Sequence, residues 1–147
     1  MVSRNNRLRS MRGRSLTVDF SQLVDFQERI QQLSETQLDN YFREVLRELG
    51  LRLMAKAHKK TPVDTGLLRR NWGMTKVIDR GSYYEIMVVN PTDYAAYVEL
   101  GHRTRDHKNW VNGYFMLHKA TLEVESEMKD ALERELKKFL EEKLDVK

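Results

Sequence analysis

A chain of 147 residues is long enough for one domain with a core of its own. It is 40% hydrophobic and 33% charged and has no cysteine, which excludes disulfides and thiolate metal centres and suits synthesis inside a cell. The net charge of +4 is uneven: residues 1–14 hold Arg4, Arg7, Arg9, Arg12 and Arg14 without an acid, leaving −1 for the rest. No apolar run approaches a membrane span, and no apolar stretch follows the first arginines as in a secretory signal, so no membrane contact is expected.

Residues 1–14 therefore read as a basic arm too poor in apolar residues to fold alone, and residues 15–147 as a single α+β domain. The arm is either a solvated end or a tail that meets phosphate or an acidic neighbour. Leu16 to Phe20 alternates apolar and polar residues and predicts a short strand. Asp19 or Ser21 then caps a helix with Leu23, Phe26, Ile30 and Leu33 on one face. Ser34-Glu35-Thr36-Gln37 is a capping box that restarts the helical period. The stripe Leu38, Phe42, Val45, Leu49, Leu53 and Ala57 follows. Gly50 interrupts it at about 1 kcal/mol relative to Ala, which predicts close packing or a bend there.

Pro62 disfavours the helical conformation at Thr61, so this helix should end near Lys60. Asp64 and Thr65 carry oxygens able to cap Leu67-Leu68, and Gly66 fits a turn with positive φ. The period then changes from helix to strand. Asn71 to Asp79 and Tyr83 to Asn90 form a hairpin about Asp79-Arg80-Gly81-Ser82, with the Leu16 strand, or one from another subunit, extending the sheet. Tyr83–Asn90 is apolar on both faces and should be covered on both. Asn90 to Asp93 is a turn in which Thr92 or Asp93 caps a short helix, Tyr94 to Leu100, ended by Gly101. Residues 102–112 have no periodicity and read as a mobile loop. Gly113 to Leu144 is a long amphipathic helix striped by Val124, Met128, Leu132, Leu136 and Phe139-Leu140.

Chemistry is sparse. Glu99, His102, Asp106 and His107 could form a zinc or nuclease-like site, yet no H-E-x-x-H spacing is present, His58 has no second ligand nearby, and His118 opens the last helix. No glycine-rich phosphate loop follows a strand, and no nucleophile elbow is present. No enzyme activity, cofactor or metal is expected. The arm, Arg69-Arg70, the basic residues Arg103 and Arg105 and the stacking candidate Trp110 leave a nucleic-acid-binding accessory protein as the alternative.

Two ordered stretches carry a resemblance. Thr61-Pro62-Val63-Asp64-Thr65-Gly66 with Leu68-Arg69 and Trp72, and then Tyr94-Ala95-Ala96-Tyr97-Val98-Glu99-Leu100-Gly101, resemble the motifs of small tailed-bacteriophage head–tail connector, neck or tail-completion proteins. Tyr114-Phe115-Met116-Leu117 before a long last helix also fits, so the similarity runs from about Gln37 to the C-terminus. The resemblance implies a virion structural protein without turnover, assembled in the bacterial host cytoplasm for a phage or a phage-derived tail particle. It would be a subunit of a homo-oligomeric ring, hexameric or dodecameric. Its neighbours would be connector and tail-tube or terminator proteins, with packaged DNA within reach. Arg4, Arg7, Arg9, Arg12, Arg14, Arg103, Arg105 and Trp110 are candidates for subunit or DNA contact.

Overall fold

The computed structural model describes residues 15–18 and 34–144. The arm and the helix expected over Leu23 to Leu33, with its caps Asp19 and Ser21, lie outside the described residues.

Helix α1, Glu35–Lys60, starts where Ser34 and Gln37 complete the capping box. Leu38, Phe42, Val45, Leu49, Leu53 and Ala57 are all buried, joined by Tyr41 and Leu46. Gly50 does not break the helix. A Cβ built there would lie 2.6 Å from Met74 Sδ and 3.0 Å from Ile86 Cδ1, so the glycine lets the sheet approach the helix axis. Thr61 closes α1, its amide donating to His58 O at 3.3 Å.

The short helix α2, Leu67–Arg70, leads into β2, Gly73–Met74, and β3, Ile78–Asp79, both antiparallel to β4, Tyr84–Val89. The single strand expected over Asn71–Asp79 is thus two short ones. Thr75 separates them: its amide donates to Met87 O at 2.9 Å, while its hydroxyl accepts the Met87 amide at 3.0 Å. A side-chain oxygen replaces the backbone carbonyl, and the ladder breaks. The expected turn is present, with Gly81 at φ 84° and its amide donating to Asp79 Oδ1 at 2.7 Å.

Strand β1, Ser15–Val18, pairs with the other edge of β4, Ser15 opposite Met87 and Val18 opposite Tyr84. One face of β4 is fully buried at Ile86 and Val88; on the other, Glu85 is buried while Met87 and Val89 are half-buried. Helix α3, Ala95–Leu100, follows the Asn90–Asp93 turn. Its N-cap is Tyr94, without a side-chain bond, and neither Thr92 nor Asp93 caps it. The Thr92 hydroxyl accepts from Asn71 instead, at 3.1 Å.

The largest departure from expectation is residues 102–112. They form a two-stranded ribbon, β5 (Gly101–Arg103) against β6 (Trp110–Asn112), with Thr104 holding the tip. Helix α4, Met116–Leu144, then runs back along α1. Lys56 pairs with Glu123 and Glu127 at 3.3 and 2.8 Å, Lys60 also pairs with Glu123, and Tyr41 stacks on Phe139 at 4.4 Å. The contacts make the two helices antiparallel. Helices and small antiparallel sheets with a long last helix make the fold α+β.

Candidate functional site

The Thr61–Gly66 turn is built from its first residue outward. Thr61 is 2% exposed. Its hydroxyl donates to Ala57 O and accepts from the Trp72 indole, both at 2.7 Å, and its carbonyl accepts from Arg69 at 3.1 Å. One hydroxyl thereby closes α1 and fixes the aromatic residue that opens the sheet. Asn90 adds a second tie by donating to Leu68 O at 2.7 Å. Gly66 has φ 78°, as a turn glycine should. The Leu67 amide is taken by Thr65 Oγ1 at 3.3 Å, so Thr65 and not Asp64 serves α2. Asp64 and Val63 point outward, Val63 being 57% exposed.

The second segment is centred on Glu99, which is 6% exposed although it is a carboxylate. Its two oxygens accept the amides of Leu117 and His118 at 3.1 and 3.0 Å. These are free donors in the first turn of α4, where negative charge also complements the helix dipole. The residue before that helix, Phe115, has φ 52° and no side-chain oxygen, so α4 takes its cap from α3. The amides of Tyr114 and Phe115 donate to Val98 O and Glu99 O, which moves the helix start from the expected Gly113 to Met116. At Gly101, φ is 85° and ψ 172°, a region open essentially to glycine. A Cβ there would lie 2.8 Å from Gly113 N and 2.9 Å from Trp110 Nε1, with the Val111 carbonyl closer still.

Around these anchors the surface is apolar and aromatic. Tyr97, Leu100, Trp110 and Tyr114 are each more than half exposed, and Tyr94 and Val111 about two-fifths. Ala95 is buried and Val98 half-buried. Tyr97 meets His102 edge-on at 6.0 Å, and β5–β6 pairing sets Val111 opposite His102 and Trp110 opposite Arg103. Arg103 and Arg105 are exposed on the same ribbon. Glu99, His102, Asp106 and His107 are not brought together as ligands. Glu99 holds α4, while Asp106 accepts from the Thr104 hydroxyl and the Lys108 amide, which keep its carboxyl below the usual range. Among the described residues no cluster of three metal-ligating side chains forms, and no helix is long and apolar enough to cross a membrane. Arg4 to Arg14 lie outside the described residues.

Sequence reasoning missed the two anchoring roles, of Thr61 and Glu99. A signal for the second was present. Gly113-Tyr114-Phe115 offers no Ser, Thr, Asp or Asn before a long helix, so a cap had to come from elsewhere in the chain.

A family model described as "Bacteriophage HK97-gp10, putative tail-component" matches residues 25–101. The match takes in both motifs and ends at Gly101, so α4, included in the resemblance above, lies beyond it. No curated protein and no solved structure matches the chain. With more than half its residues inside the family model, and with both motifs serving as anchors of the fold, the chain belongs to the HK97-gp10-like family of bacteriophage tail components.

Proposed function

We propose that the protein is a ring-forming subunit of the phage neck, one that joins or completes the tail at the head–tail interface. The observation that carries this reading is the aromatic surface of Tyr97, Leu100, Trp110 and Tyr114, mounted on glycine-locked backbone and on a helix cap. Apolar clusters of this kind mark protein contacts. Rigid presentation lowers the ordering entropy that association costs. The role is structural, without turnover, and its setting is the virion. Its neighbours are further copies and the connector or tail-tube proteins above and below.

Native mass and negative-stain imaging of the purified protein, alone and with tail tubes, test the proposal. Closed oligomers, or caps on tube ends, are the expected result. A monomer at every concentration that ignores tubes and heads would overturn it. The nucleic-acid alternative rests on the arm and the ribbon arginines; it would be favoured by duplex affinity of the monomer that falls steeply with salt.

A further inference from the structure

Between the first half of α1 and the second half of α4 lies a groove of about 300 Å³ with an acidic rim. Glu44 and Glu48 line it from α1, Glu135 and Glu142 from α4, and Lys138 supplies a cation. Arg52 pairs with Glu48; the other three carboxylates have no ion-pair partner among the described residues. A second observation points to a ligand. Tyr41, 7% exposed and stacked on Phe139, lines the groove, and its hydroxyl has no hydrogen-bond partner among the described residues. A buried hydroxyl without a partner costs free energy that a bound donor would recover. Burial foremost, with Glu135 beside it, pushes the Tyr41 phenol up to about 12, so its oxygen stays protonated and can both accept and donate.

We propose that this groove receives the arginine-rich segment, residues 1–14, of a second copy of the chain. That segment carries five arginines and no acid, the complement of the rim, whereas DNA phosphate would be repelled by it. Guanidinium groups suit the site because each offers several donors in a plane, enough for two carboxylates or for one carboxylate and the Tyr41 oxygen. The direction of the chain selects the second copy. Segment 1–14 joins the fold at Ser15, on the strand paired with β4. The α1 residues that meet β4 include Phe42 and Gly50, against Tyr84 and Ile86. At ~100° per residue, Tyr41, Glu44 and Glu48 lie on the opposite side of α1. A chain's own arm would have to turn round the helix pair. A neighbour's arm can extend up to about 45 Å straight from its sheet. The inference rests on the reading that copies assemble.

The test uses the full chain with Lys138→p-benzoylphenylalanine as a photocrosslinker, mixing light and heavy isotope-labelled protein. Crosslinks from position 138 to residues 1–14, in adducts of mixed isotope composition, are expected. Their yield should fall about fivefold in Glu44→Gln/Glu142→Gln, each exposed pair contributing little alone. The same loss is expected in Tyr41→Phe, which removes only the hydroxyl. Adducts confined to one isotope would show the arm folding back and overturn the inference. So would oligomers without arm adducts, which leave the assembly reading standing. A monomeric mass with no mixed adducts overturns both.

Discussion

The most exacting test of the fold's logic is removal of the cap that α3 gives to α4. Glu99→Ala leaves the buried amide of Leu117 and the part-buried amide of His118 without their acceptors and deletes a charge from the helix N-terminus. Loss of an ordinary N-cap costs about 1 kcal/mol. Bonds to a charged acceptor are worth about 1.5–3 kcal/mol, and a buried donor left unpaired carries its own desolvation penalty. Small rearrangement and water entry reduce the sum, so about 3 kcal/mol is expected for Glu99→Ala. Glu99→Gln keeps one acceptor oxygen and loses the charge, for about 1–2 kcal/mol. With a urea slope of roughly 2 kcal/mol/M, the midpoints should move by about 1.5 M and about 0.5–1 M. Melts must be run at one protein concentration, because assembly would add stability of its own. An alanine variant within about 0.5 kcal/mol of wild type would refute the reasoning and show that water serves the two amides equally well.

Three further outcomes follow from the same geometry. Thr61→Val keeps the shape but strands the Trp72 indole, and should cost about 2 kcal/mol in urea melts with a shift in tryptophan fluorescence. Gly101→Ala should be far worse than Gly66→Ala, by about 2 kcal/mol or more, because both have positive φ but only Gly101 is crowded by backbone; thermal melts of the pair decide it. Asp39 is held below its ordinary pKa by hydrogen bonds from Arg43, foremost, and from Tyr84, so its contribution is complete above the unfolded value of about 4 and is lost as pH falls below it. Asp39→Asn should flatten the stability profile below about pH 4, and an unchanged slope there would count against this network.

What could be read in the sequence is what repeats along it. Helix α1 was legible because Ser34 and Gln37 mark its start, Pro62 its end, and buried residues recur three and four apart between them. The Asp79–Ser82 turn was legible from residue type alone. The β5–β6 ribbon was not, since Trp110, Val111 and Asn112 are all exposed and a strand without a buried face leaves no alternation to detect. The anchors were missed for a different reason. The bond from Trp72 to Thr61 spans eleven residues and those from α4 to Glu99 eighteen and nineteen, and no local period records such pairings. Asp64 shows the converse hazard. Its type and position suit a cap, yet Thr65 takes the amide.

Both motifs divide into an inner and an outer set, and the division carries the last prediction. In the first, Thr61 and Leu68 are buried while Val63 and Leu67 are 57% and 43% exposed. In the second, Ala95, Glu99 and Gly101 are buried while Tyr97 and Leu100 are 60% and 61% exposed. Ending a helix requires only the inner residues; nothing in the fold calls for large apolar side chains in water beside them. If the outer set serves contacts, Tyr97→Ser/Leu100→Ser should melt within about 0.5 kcal/mol of wild type, as surface changes usually do. The same variant should lose closed oligomers or the capping of tail tubes, because aromatic anchors dominate interface energies. A cost above about 2 kcal/mol in the isolated subunit would show that these side chains hold the fold. Wild-type melting with unimpaired assembly would place the interface elsewhere on the molecule.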